Sequence, residues 1–253
     1  MMKYKALMLV LSLLFVFLAM AVSAAGPIGN GKVENEDEIW ARAGFVNPKV
    51  ELINVDTFYE KIQQVFTHSF DLTLVMFRGT GWSKKVILRR LKKVADIYAQ
   101  CGVRFGQVTF VEAGAPAPEG VIDFGSPGGN AEQDIAQRVL PTARPILFYF
   151  RSIPKFNAYA WPESSEDEDV SDALKNTAWF SLSVTMKLNI KIRHPKYISE
   201  AHELGHILLD SLEHVGVGVG NLMAESYEYE NDRLTHDQCR RIKEHHLVNP
   251  IIK

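Results

Sequence analysis

Ala201-His202-Glu203-Leu204-Gly205-His206 is the stretch on which the reading of this 253-residue chain turns. Residues four apart share one face of a helix, so the imidazoles of His202 and His206 can reach a single metal ion. Glu203, beside the first histidine, is then placed to activate a water molecule at that ion. Two histidines and a carboxylate in this order are the donor pattern of a zinc-dependent hydrolase.

A zinc ion in such a site takes three protein ligands and keeps a fourth position open. The third must come from downstream. Asp210 lies on the same helix face, but at 1.5 Å rise per residue it sits roughly 12 Å along the axis from His202, against a bond of about 2 Å. Asp210 is therefore excluded unless the helix breaks before it. His214, and its neighbour Glu213, require the chain to turn back between residues 207 and 214. That stretch has neither glycine nor proline and reads as continuing helix. Gly216, Gly218 and Gly220 loosen the chain directly afterwards, and histidine is the commonest protein ligand of zinc. Glu225 and Glu228 offer a second geometry, in which a glutamate on a later helix completes the site.

The rest of the chain bounds the setting. Lys3 and Lys5, an apolar run from Ala6 to Met20 and the small residues from Ala21 to Gly26 read as a secretory signal cleaved after Ala24 or Ala25. No later segment is apolar and long enough to span a membrane, so no stable span is expected after cleavage, and export to a periplasm or the exterior follows. Net charge is −2, or −4 once Lys3 and Lys5 are removed, which argues against a nucleic-acid partner. Cys101 and Cys239 are the only cysteines; they can form one disulfide or remain two buried thiols.

Periodicity supplies the elements. Residues 26 to about 50 are polar and then acidic, and read as a flexible leader. Phe58, Ile62, Val65 and Phe66 suggest a helix over 55–66, and Leu72–Phe77 is an apolar strand. A long amphipathic helix begins near Ser83 and stops at Gly102. Val103–Val111 alternates as a strand, Ala113–Gly120 is a loop, and 131–140 fits a helix. Pro145–Phe150 and Thr177–Val184 are further strands, and Leu234–His245 is a last helix. The acidic run from Glu163 to Asp169 lacks the glycine and carboxylate spacing of a calcium loop and reads as solvated surface. His236, His245 and His246 read as surface residues; His68 and His194 carry no spacing argument. This order of elements indicates an α+β fold, a mixed twisted sheet covered by helices.

The run from His202 to His206, then His214, the glycine-rich loop and Asn221-Leu222-Met223-Ala224-Glu225 resembles the metzincin metalloproteases, and the matrixin-like members in particular. Lys92 to Phe105 is similar to that clan's first helix and following strand, and Leu234 to Ile242 to its closing helix. The resemblance covers roughly residues 70–245; only the zinc region is specific. It implies a third histidine after the helix, for which His214 stands, and a methionine in a turn beneath the metal, for which Met223 stands. It also implies Zn2+ as cofactor, protein or peptide as substrate, and Glu203 as general base of an endopeptidase. Separately, the Tyr227 hydroxyl is a candidate oxyanion donor. One departure is plain: the clan's glycine position holds Leu209, its third-histidine position holds Leu212, and His214 comes two residues later. That spacing keeps two alternatives open, a non-catalytic binding protein of the same fold and a peptidase using Glu225. The expected organisation is a signal segment at 1–25, an N-terminal extension at 26–67 and a metzincin-like catalytic domain at 68–253. Oligomeric state is not legible, and the leader holds no cysteine that could cap the metal.

Overall fold

The computed structural model describes residues 35–116, 123–125, 127–139, 144–152, 158–165, 170–182, 198–216, 220–224 and 231–252. The expected signal segment, His194, Glu225, Tyr227 and Glu228 lie outside the described residues.

The elements are α1 (Glu36–Arg42), β1 (Val46–Ile53), α2 (Asp56–Tyr59), β2 (His68–Phe77), α3 (Lys84–Ala99), β3 (Val103–Gly114), α4 (Asn130–Arg138), β4 (Ile146–Phe150), β5 (Ala158–Trp161), β6 (Thr177–Ser181), α5 (Ser199–Leu209), α6 (His236–Glu244) and β7 (Asn249–Pro250). The strand order is β1-β3-β2-β4-β6-β5, with β7 paired to β2 at His68 and Ser69. β3, β2, β4 and β6 run parallel, while β1 and β5 are antiparallel additions at the two ends. This is the mixed sheet of the α+β class expected from the element order.

Helices cover both faces, which explains why Leu74–Phe77 of β2 and all of β4 are apolar instead of alternating. Leu72, Leu74, Met76, Leu147, Tyr149, Ala178 and Phe180 point to one core, shared with α3, α5 and α6. Val75, Phe77, Ile146, Phe148, Phe150 and Trp179 point to the other, closed by Trp40 of α1 and by Ile135 and Ala136 of α4. A residue shift in any central strand would exchange the two sets, so the register is held by both cores at once. Among the described residues no helix is long and apolar enough to cross a membrane.

Several elements differ from expectation. The later part of the stretch from 26 to about 50, read as flexible leader, forms α1 and most of the edge strand β1, which runs on to Ile53. Pro48 and an exposed Val46 and Leu52 hide it from a periodicity search, and an edge is where a strand tolerates proline. The helix expected over 55–66 stops at Tyr59. The chain then turns so that the Phe66 ring meets Tyr59 edge-on at 4.9 Å, while the Tyr59 hydroxyl accepts the Phe105 N–H at 2.7 Å. β5, only four residues long, gave no periodic signal.

α3 fixes the approach of α5. Ser83 caps its N-terminus, and Gly102 at φ +68 ends it, a conformation that side chains disfavour. From its buried face Arg90 donates to both oxygens of Glu200, at 2.5 and 2.7 Å, and to the Ser199 hydroxyl at 3.1 Å. Tyr98 donates to the Ala201 carbonyl at 2.9 Å. The first turn of α5 is thus tied to α3 by a bidentate, charge-assisted pair, a geometry stronger than a neutral hydrogen bond.

Cys101 and Cys239 form a disulfide between the end of α3 and α6, closing a loop of 138 residues. Its removal in Cys101→Ser with Cys239→Ser is expected to lower unfolding stability by about 2–4 kcal/mol, because a long closed loop restricts the unfolded chain. Urea denaturation of the wild type with and without reductant, beside the double variant, measures this.

Candidate metal centre

α5 is buried on every side, packed against β5, β6, α3 and α6. It ends at Leu209, and there the expectation of a helix running on to Glu213 is corrected. Asp210 adopts the left-handed conformation at φ 47, ψ 56. Its N–H reaches the Ile207 carbonyl at 3.1 Å, and the Ser211 N–H reaches the His206 carbonyl at 3.0 Å. These two bonds make a Schellman motif, with aspartate where glycine usually stands. Aspartate is among the residues least penalised in this region. Its carboxylate also accepts the Ser164 N–H at 2.7 Å, its carbonyl accepts the Ser164 hydroxyl at 3.0 Å, and Arg241 donates to the Leu209 carbonyl at 2.5 Å. The chain turns here without glycine because contacts from residues far away in sequence hold the turn. Asp210→Ala, which loses both the conformation and the carboxylate, is expected to cost about 1–2 kcal/mol, and Asp210→Gly less. Thermal unfolding of the metal-free variants would show the order.

The turn brings His214 back. Its neighbour Val215 donates to the Met223 carbonyl at 2.9 Å and bridges to Ala224. The Nε2 atoms of His202 and His206 stand 3.1 Å apart, as do those of His202 and His214. The three histidines are the one group of this kind among the described residues, with all ligand atoms within 4.8 Å of one another. His202 and His206 are buried, and His214 is exposed.

The donor chemistry can be read from the outer ring nitrogens. His202 Nδ1 faces the Leu222 carbonyl at 2.7 Å, and His206 Nδ1 faces the Ser211 carbonyl at 2.7 Å. A carbonyl only accepts, so each Nδ1 carries the proton and each neutral ring presents a bare lone pair at Nε2. Burial pushes His202 down to about 4 and His206 to about 3, and neighbouring histidines add to both effects, so the rings are neutral at pH 7. Two lone pairs aimed at each other across 3.1 Å repel unless a cation lies between them. Nitrogens bound to one tetrahedral zinc at about 2.0–2.1 Å stand about 3.3 Å apart, so the spacing suits that ion.

Glu203 is buried, and its carboxyl is pushed up to about 8, first by desolvation and then by the charge of Glu200. A divalent cation beside it would draw the value down again. Met223 packs beneath the histidine helix against Gly205, where an added Cβ would lie 2.4 Å from the methionine sulfur. Glycine between the two histidines therefore has a packing reason.

The other sequence candidates fall elsewhere. Asp210 shapes the turn. Glu213 is exposed, its N–H bonded to the Ser211 hydroxyl at 3.1 Å. His246 meets Glu163 at 3.2 Å on the surface. Sequence reasoning missed the Leu222 and Ser211 carbonyls that orient the rings, and no residue pattern could have revealed backbone acceptors. It also missed Ser164 and Gln238.

No family model matches the chain, and no curated protein matches it. Among solved structures, the crystal structure of metalloproteinase-II from Bacteroides fragilis is similar, with a TM-score of 0.48 and 18% identity over 72% of this chain. The match covers 54% of that chain, so this protein spans about half its length.

Proposed function

We propose that the chain is an exported zinc-dependent endopeptidase of metzincin-like plan, with His202, His206 and His214 as the metal ligands and Glu203 as general base. The observation that carries this reading is the convergence of Nε2 atoms, with two Nδ1 atoms committed to carbonyls. A zinc ion held there supplies a Lewis acid that polarises a peptide carbonyl and makes water nucleophilic near neutral pH. Glu203 takes the proton from the attacking water at its carboxylate and returns it to the departing amine. Leu222 and Ser211 fix the ring planes of His202 and His206, the kind of outer support that metal-bound histidines rely on. The disulfide supports an oxidising compartment, in keeping with the export expected from residues 1–25.

Hydrolysis of an internally quenched peptide tests the activity. The zinc-loaded chain should cleave it, a chelator should stop cleavage, and added zinc should restore it. A fully zinc-loaded chain that leaves a broad peptide library intact would favour the non-catalytic alternative.

A further inference from the structure

The turn Asn221–Ala224 touches each of the three histidine segments. The Leu222 carbonyl holds His202, the Met223 sulfur packs on Gly205 between His202 and His206, and the Met223 carbonyl holds Val215 beside His214. Moving this turn by a fraction of an ångström therefore shifts His202 directly and bears on the segments that carry His206 and His214.

The turn is held by backbone pairing with Arg233, whose carbonyl accepts the Leu222 N–H at 2.8 Å, and by one side chain of α6. Gln238 is buried at 7% exposure. Its Oε1 accepts from Asn221 Nδ2 at 3.0 Å, and its Nε2 donates to Asn221 Oδ1 at 3.2 Å. Asn221 Oδ1 also accepts the Met223 N–H at 2.8 Å, which closes the turn. The same Gln238 Oε1 accepts the Thr235 N–H at 2.8 Å, and Thr235 Oγ1 accepts the Gln238 N–H at 3.2 Å, the reciprocal pair of a capping box. Helix start and metal turn thus share a single amide. The next residue, Cys239, is anchored to α3 by the disulfide, so α6 offers a rigid base for that amide.

From this arrangement we infer that Gln238 is a positioning residue of the metal centre, holding the histidine donor set through its two-way bond with Asn221. The inference rests on the three histidines binding zinc. Its logic is that of an outer-shell partner: it never touches the metal, yet it removes the freedom of the groups that orient the ligands.

Gln238→Glu separates this role from helix stability. Glutamate keeps the acceptor for Thr235 and for Asn221 Nδ2, and it serves a capping box equally well. It replaces the Nε2 donor with an oxygen facing Asn221 Oδ1, so the helix cap is kept while one of the two bonds to the turn becomes a repulsion. Thr235→Ala does the reverse, removing the hydroxyl cap and leaving the pair with Asn221. Zinc affinity of the full chain, measured by competition with a chromophoric chelator, is expected to fall roughly 10–100-fold in Gln238→Glu, with its melting temperature near that of the wild type. Thr235→Ala should lower the melting temperature and keep wild-type zinc affinity. Gln238→Asn, which shortens the reach to Asn221, should also bind zinc more weakly. Wild-type affinity in Gln238→Glu, or an equal loss in Thr235→Ala, overturns the inference. A wild-type chain that binds no zinc overturns instead the metal-site reading beneath it.

Discussion

Glu203→Gln is expected to lower the turnover of peptide hydrolysis by roughly 10²–10⁴-fold, the usual worth of a positioned general base, with one zinc retained per chain. The substitution keeps shape and burial and removes only the ability to accept a proton. Zinc should stay because the converging atoms belong to the three histidines, not to this carboxylate. A second readout comes from the metal-free protein. The Glu203 carboxyl is raised from 4.5 to about 8 in the fold, so folding binds a proton between those values. Stability from this group is present below about 4.5 and is lost as pH rises through 8. Chelated wild type should therefore lose stability relative to the Gln variant between pH 5 and 8, which melting curves at several pH values would show. Hydrolysis that persists in the zinc-loaded variant would remove Glu203 from the role of base.

His214→Ala is expected to weaken zinc binding by roughly 100-fold or more, beyond the 10–100-fold typical of outer-shell losses, because it deletes a ligand outright. His214 is exposed and its removal leaves no cavity, so the fold should survive and the comparison stays clean. Glu213→Ala, one residue earlier and outside the cluster, should bind zinc as the wild type does. Chelator competition on the three proteins reads the difference. If His214→Ala binds zinc normally while Glu225→Gln does not, the third ligand is a glutamate and the expected geometry is wrong.

Much of the frame was legible before any coordinates. β2, β4, β3 and α3 carry strong local signals, because two-sided burial makes β2 and β4 apolar, β3 alternates and one-sided burial makes α3 periodic, while the histidine helix is legible from its motif. What stayed hidden shares one property, dependence on residues remote in sequence. β1 becomes a strand because β3 offers it an edge from Val108 to Gly114, not because Val46–Ile53 alternates. The Cys101–Cys239 pairing follows from α6 packing on α5, which brings Cys239 to the end of α3. The turn at Asp210 is the sharpest case. Local propensity alone argues for continued helix from Ile207 to Glu213, and the expectation followed propensity. Ser164 and Arg241 supply the missing terms by binding the aspartate and the last helical carbonyl. The late third histidine is thus explained by a turn one residue beyond the usual glycine position, held by aspartate with outside support.

Zinc K-edge X-ray absorption on the zinc-loaded full chain tests the centre most directly. The expected spectrum shows three imidazole nitrogens at about 2.0–2.1 Å and one light-atom ligand from solvent. Two imidazoles with a protein carboxylate, or failure to retain stoichiometric zinc, would contradict the three-histidine centre.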